Sequence, residues 1–379
     1  LRNQAFHRLL VDGVEIEVAR PAEEGGGVKG VRLRVVDFDE PEQNDFVVTT
    51  QLSVTCTAQA SIGTRICDLV VFVNGLPLGV IELKGPESTD DVWDAVQQLH
   101  TYKNDIPQLF TSNLVLVAGD GVQARIGSLT ADDSRYAKWR TIAGEGDEPA
   151  HADPLKVLVL GVFEKERLCD YLQNFVTFEN ERDRVLKKIA GYHQFHAVRR
   201  AVRETERASA AGGDRRIGVI WHTQGSGKSL SMVFYARKLV LSRAMQNPTL
   251  VVLTDRNDLD EQLFGTFAMA QALLRQPPQS AQSREQLRTM LNVASGGIFF
   301  TTIQKFLPSE GERHPTLSER RNIVVIADEA HRSQYGFKGK LDTKTGSFAY
   351  GFAKHMRDAL PNASVSYTHL RAHETVLDL

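Results

Sequence analysis

The sequence predicts an α/β fold in two parts, a compact unit of short strands around one helix and, after it, a parallel sheet with crossover helices. Three observations predict it. Residues 46–54, 65–73, 76–84 and 113–118 are short β-branched runs, with a helical apolar pattern at about 90–103 between the last two. Apolar runs at 217–221, 249–254, 297–301 and 322–327 alternate with helical stretches, the pattern of strands joined by crossovers. At 379 residues the chain also exceeds the size at which one core usually keeps growing, so two or more domains are expected.

Taken in order, Asp68 lies in the second run, Asn74-Gly75 is a strong hairpin signal, and the returning strand carries Glu82-Leu83-Lys84. The cluster of Gly, acids and Pro at 144–149 reads as a surface loop, and 157–160 as a short closing strand. From 164 to about 208 the pattern is mostly helical, and the Gly212-Gly213 pair ends it. The expected division is therefore a first domain over 1–165, a helical linker over 166–210 and a second domain over 211–363. Residues 275–282, rich in Gln and Pro, are expected to form a loop, and no internal repeat is visible.

Composition excludes several classes. Hydrophobic residues at 42% and charged residues at 24% are ordinary for globular protein, which removes disordered and collagen-like chains. The formal charge of -2 provides no global pull toward nucleic acid, so any such contact must come from local patches such as Arg199, Arg200 and Arg203. Cys56, Cys67 and Cys169 are scattered, which fits a reducing compartment without a zinc site. No apolar run is long enough for a membrane span.

Two motifs carry chemistry. In Thr223-Gln224-Gly225-Ser226-Gly227-Lys228-Ser229 the glycines let backbone N–H groups turn toward phosphates, Lys228 reaches the β/γ-phosphates of ATP, and the Ser229 hydroxyl binds Mg²⁺. The setting between a strand and a helix is what such a loop requires. An apolar strand then ends at Asp328-Glu329-Ala330-His331, at the carboxyl edge of the sheet. There Asp328 is expected to hold Mg²⁺ and Glu329 to polarise the attacking water. Gln194, upstream in Tyr192-His193-Gln194, can either hydrogen-bond an adenine edge or sit as an exposed helical glutamine.

The second constellation is Asp68, Glu82 and Lys84. Glu82 and Lys84 are two apart and share a strand face, and Asp68 joins that face if the hairpin loop holds an odd number of residues. A three-residue loop of Val73, Asn74 and Gly75, with Gly75 left-handed, meets that condition. Asp68 and Glu82 then offer Mg²⁺ hard oxygen ligands, and Lys84 orients the attacking water, the arrangement of a metal-dependent nuclease. Spacing alone also allows an exposed strand end that collects such residues; the apolar setting Val80-Ile81-Glu82-Leu83 opposes it, because an unpaired buried charge is costly. Gln98 and Tyr102 lie on one helical face, either toward this strand or as ordinary helix surface.

In this order these residues closely resemble the restriction (R) subunit of type I restriction-modification enzymes, over nearly the whole chain to about residue 361. The resemblance implies a PD-(D/E)xK endonuclease domain followed by one RecA-like superfamily 2 helicase lobe. By the same resemblance Gln194 senses adenine, His331 links hydrolysis to movement, and Thr254, Arg256, Thr302 and Gln304 touch DNA or couple it to ATP. It implies partners too: double-stranded DNA and the modification and specificity subunits, in a bacterial or archaeal cytoplasm, with no membrane. Cys67 stands where the family usually has Pro. The arginine finger of such motors comes from a second lobe, which lies beyond this chain. After Pro361-Asn362-Ala363 the family's Thr-Gly-Thr-Pro motif is missing, so 364–379 is expected to be a non-native tail and the chain, which opens on Leu1, a fragment. The expected function is ATP-driven translocation coupled to DNA cleavage away from the recognition site. The alternatives are a translocase with a degenerate nuclease domain, and a non-catalytic DNA-binding or assembly fragment.

Overall fold

The structure, a computed structural model, describes residues 1–21, 26–57, 63–85, 91–181, 184–222, 225–254, 257–306, 316–328, 340–341, 348–349 and 352–370. The chain divides into two compact units, Leu1–His193 and Gln194–Leu379.

The first unit opens with α1 (Arg2–Asp12) and an antiparallel hairpin of β1 (Val14–Ala19) and β2 (Val28–Leu33). Its sheet follows, in sequence order: β3 (Phe46–Thr55), β4 (Thr64–Val73), β5 (Leu76–Leu83), β6 (Val115–Gly119) and β7 (Ala124–Gly127). Neighbours are antiparallel except β5 and β6, whose parallel pairing needs a crossover. The helix α2 (Val92–Asp105) supplies it. It starts where it does because the Asp91 carboxylate accepts from the Trp93 and Asp94 N–H groups while Asp94 answers the Asp91 N–H, a capping box. Its apolar face, with Val92, Val96, Leu99 and Tyr102, packs on Val70, Val80 and Leu116 to form the core of this unit. Each such side chain, fully buried, contributes roughly 1.5–3 kcal/mol.

Two sequence expectations fall here. Residues 157–160 lie in a helix, α3 (Pro154–Val162), because Asp153 accepts from the Leu155 and Lys156 N–H groups and Pro154 occupies the first turn. The expected helical linker over 166–210 is also interrupted. Between α4 (Lys165–Asn174) and α5 (Tyr192–Ser209) stands a hairpin of β8 (Val176–Glu181) and β9 (Arg184–Ile189), whose alternation of β-branched, aromatic and polar residues suits an extended strand. The division between the two units falls between His193 and Gln194, inside the span expected to be the linker.

The second unit is built on a six-stranded sheet of β10 (Arg216–His222), β11 (Thr249–Thr254), β12 (Pro278–Ser280), β13 (Ile298–Thr302), β14 (Ile323–Ala327) and β17 (Ser364–Leu370). A separate two-stranded pair, β15 (Lys340–Leu341) with β16 (Phe348–Ala349), precedes the last. The large sheet runs β10-β17-β14-β11-β13-β12 and every pairing in it is parallel. Strands β11, β13 and β14 are buried throughout, which explains their continuous apolar runs. The stretch expected to be a loop contributes β12 at the sheet edge, where Pro278, lacking an N–H, is tolerated.

The stretch expected to be a foreign tail begins with a strand, β17 (Ser364–Leu370). β17 lies inside the sheet between β10 and β14, with Ser364, Val365 and Ser366 buried. Two open strand edges accept any extended segment whose inward side chains are small, and this one begins that way. Residues 371–379 lie outside the described residues. Among the described residues no helix is long and apolar enough to cross a membrane.

Candidate functional site

Asp68 and Glu82 meet on the first unit's sheet, by a route other than the three-residue loop. The turn holds two residues: Val73 pairs with Leu76, and Asn74 (φ 49) and Gly75 (φ 78) both take left-handed backbone. That loop alone would set Ile81 opposite Asp68. Val71, however, pairs with Gly79 while Phe72 pairs with Pro77, so Leu78 is an extra residue. The bulge shifts the ladder by one, as the Leu69 pairing with Ile81 shows, and Glu82 comes to stand across from Asp68.

Both oxygens of Asp68 are held. Gln51 Nε2 donates to Oδ1 at 2.9 Å and the Leu83 N–H donates to Oδ2 at 2.8 Å. Lys84 Nζ stands 3.5 Å from Glu82 Oε1, and the Glu82 side chain is only 6% exposed. Its Oε2 is buried with no hydrogen-bond donor. From α2 the Tyr102 hydroxyl donates to Ile66 O at 2.6 Å and lies beside Glu82 and Gln98, so the strand-facing alternative for Gln98 and Tyr102 is the one observed. Burial, and next the Asp68 charge, push the Glu82 carboxyl above the usual carboxylate range, while Lys84 pulls it back. Burial also pushes the Cys67 thiol up to about 12, with the Glu82 and Asp68 charges adding to it, so Cys67 is a neutral neighbour rather than a nucleophile.

The donor set fits a hard divalent cation. Two carboxylates face each other, and one buried oxygen lacks a donor. No group of three or more His, Cys, Asp and Glu gathers among the described residues, so the protein offers two carboxylates, the sparse coordination that Mg²⁺ with retained water accepts.

In the second unit β10 leads to Gly225 (φ 81) and Gly227 (φ 80), left-handed positions that suit glycine, and α6 (Lys228–Leu241) starts directly after them. Backbone N–H groups therefore converge at a helix N-terminus beside Ser226 and Ser229. Lys228 Nζ lies 2.5 Å from Asp328 Oδ1, and both side chains are nearly buried. The Asp328 N–H donates to Leu253 O at 2.9 Å, fixing the acid at the carboxyl edge of β14. Gln194 is not an exposed helical residue. It is buried, donates from Nε2 to Gly227 O at 3.0 Å, and so ties α5 to the phosphate loop.

Thr254 and Thr302 pair at the carboxyl ends of β11 and β13, near that loop's edge of the sheet, and both are buried. Gln304, just beyond, is exposed. Of the four residues expected at DNA, the two threonines are thus buried and Gln304 is exposed. Thr223, Arg256, Glu329 and His331 lie outside the described residues. Sequence reasoning missed Gln51, whose letter in an alternating strand carries no signal.

Comparison with known proteins bears on both units. Residues 1–135 match the family described as type I restriction enzyme R protein N terminus, and residues 193–368 match that described as SWI2/SNF2 ATPase. The chain is 48% identical over 371 residues to the type I restriction enzyme HindI endonuclease subunit of Haemophilus influenzae, covering 96% of this chain and 34% of that protein. It is 35% identical over 384 residues to the putative type I restriction enzyme MjaIXP endonuclease subunit of Methanocaldococcus jannaschii, with coverage of 96% and 34%. With the SauCOLORF180P endonuclease subunit of Staphylococcus aureus it shares 29% identity over 355 residues, 90% of this chain and 36% of that one. The chain spans about a third of the length of these relatives.

Proposed function

The chain belongs to the family of type I restriction enzyme R proteins, and from that premise we propose that its two units are the nuclease centre and first ATPase lobe of an enzyme that moves duplex DNA with ATP and cuts it. One observation carries the reading furthest: Asp68, Glu82 and Lys84 converge in the same chain that sets Gly225, Gly227 and Lys228 against Asp328. A degenerate nuclease would not be expected to keep a buried, donor-free carboxylate oxygen facing a second acid.

In the first unit Asp68 and Glu82 are the residues that would hold Mg²⁺. When bound, that ion would offset charge on the scissile phosphate and lower the pKa of an attacking water. Lys84, next to Glu82, orients that water and donates toward the phosphate oxygens. Tyr102, hydrogen-bonded to Gln98, stands against Glu82 from α2. In the second unit the 225–227 backbone and Lys228 would bind the phosphates of ATP, Ser229 and Asp328 would hold the accompanying Mg²⁺, and Glu329 would polarise water. Thr223 contributes to the same loop. Gln194 reads adenine through its hold on the loop, and His331, Thr254, Arg256, Thr302 and Gln304 couple hydrolysis to duplex DNA. The partners on this reading are the modification and specificity subunits, which recognise the sequence, in a bacterial or archaeal cytoplasm.

The test uses the full-length gene product assembled with those subunits on unmethylated DNA. Asp68→Ala and Lys84→Ala are expected to abolish cutting and spare ATP hydrolysis, whereas Lys228→Ala abolishes both. Undiminished cutting by Asp68→Ala would remove the nuclease assignment.

A further inference from the structure

Six non-glycine residues take positive φ among the described residues, and Gln51 (φ 52) alone lies inside a strand. The others stand at turns, strand entries or a helix end. On either side of Gln51 the ladder is regular: Thr50 pairs with Leu69 and Leu52 with Cys67. Only the residue across from Asp68 departs from extended backbone. A left-handed glutamine in a strand is unfavourable, and such departures persist where surrounding structure enforces them. What the departure achieves is visible in the contact it makes, since Gln51 Nε2 reaches Asp68 Oδ1 at 2.9 Å. With the Leu83 N–H on Oδ2, the carboxylate is gripped at both oxygens and its plane is fixed opposite Glu82. Each oxygen keeps a further lone pair for a cation.

We propose that Gln51 is a positioning residue of the nuclease centre, its left-handed backbone turning the amide onto Asp68 so that this acid and Glu82 are held ready for a divalent cation. The proposal rests on the nuclease reading above. It assigns Gln51 no contact with substrate. Its effect runs through how firmly the two acids take the ion.

Gln51→Gly separates this role from a structural one, because glycine accepts the left-handed backbone and removes the amide. In the full-length enzyme the variant is expected to melt roughly 2–4 °C higher without divalent ions, as relief of a strained position should give. The further rise in melting temperature on adding Mg²⁺ is expected to shrink. Cutting is expected to need about tenfold more Mg²⁺ for half its maximal rate and to recover at saturation, with ATP hydrolysis as the folding control. A Mg²⁺ requirement equal to the parent's, with Asp68→Ala inactive, would overturn the role of Gln51 and leave the nuclease reading standing. So would a loss of cutting that no Mg²⁺ concentration restores. If Asp68→Ala itself cuts normally, the underlying reading is what has failed.

Discussion

Glu82 has its folded-state proton affinity raised by burial and by Asp68, so its ionised form costs stability. A carboxyl whose folded pKa lies above its unfolded value adds stability below the unfolded pKa, and that stability is lost as pH rises through the folded one. Glu82→Gln is therefore expected to stabilise the ion-free protein at pH 7, with the gain fading as pH falls into the ordinary carboxylate range, while cutting drops at least about 100-fold. Thermal melts from pH 4 to 8 without divalent ions check this, and a variant that melts lower at pH 7 would count against it. Lys187 gives the opposite profile. It is 3% exposed, donates its ammonium to Asn113 O, and is pushed down to about 7 by burial. Its penalty is full below pH 7 and is relieved as pH rises toward the ordinary lysine value of 10.5. Lys187→Met should accordingly stabilise by about 1–3 kcal/mol near neutrality, and by little near pH 10. The motif residues Asp68, Glu82 and Lys84 were legible because their types and spacing are chemically restrictive. Gln51 and Lys187 were not, since one gains its role from a left-handed backbone that only the sheet enforces and the other from burial beneath neighbours distant in sequence.

The helix α2 sets Tyr102 beside Glu82, with Gln98 against Tyr102, and its start depends on the Asp91 and Asp94 capping box. Asp91→Ala is expected to cost about 1 kcal/mol of stability and to lower cutting more than ATP hydrolysis, which urea unfolding and parallel rate measurements would read. In the phosphate loop, Gly227 has φ 80, and a Cβ there would meet Gln194 Nε2 at 2.8 Å. Gly227→Ala should therefore abolish ATP binding in a titration with a fluorescent analogue; retained affinity would contradict the loop assignment. The strands on either side of both sites were legible from β-branched runs. The helix α3 was not, because its Val157-Leu158-Val159-Leu160 run is strand-like and the decisive signal is the Asp153 cap before it. The Asn74-Gly75 hairpin was legible too. The bulge at Leu78 was not, because an extra residue inside a strand is chosen by which face each ladder buries and not by its own letter.

Across the chain, the change from one β-rich unit to strands alternating with helices foretold two units, and the sheets bear that out. Where one ends was harder to read, since α5 begins in the first and carries Gln194 into the second. The position of β17 was obscured because a strand inside a parallel sheet can be specified by the edges that receive it more than by its own composition. The central claim is that one unit hydrolyses ATP to move DNA and the other cuts. Its most direct test follows translocation and cleavage of unmethylated circular DNA together, by the full-length protein assembled with the modification and specificity subunits proposed as its partners. The account predicts that Glu82→Gln moves DNA at the parent's rate and leaves every circle intact, and that Lys228→Ala does neither. Cutting by Glu82→Gln, or movement by Lys228→Ala, would contradict it.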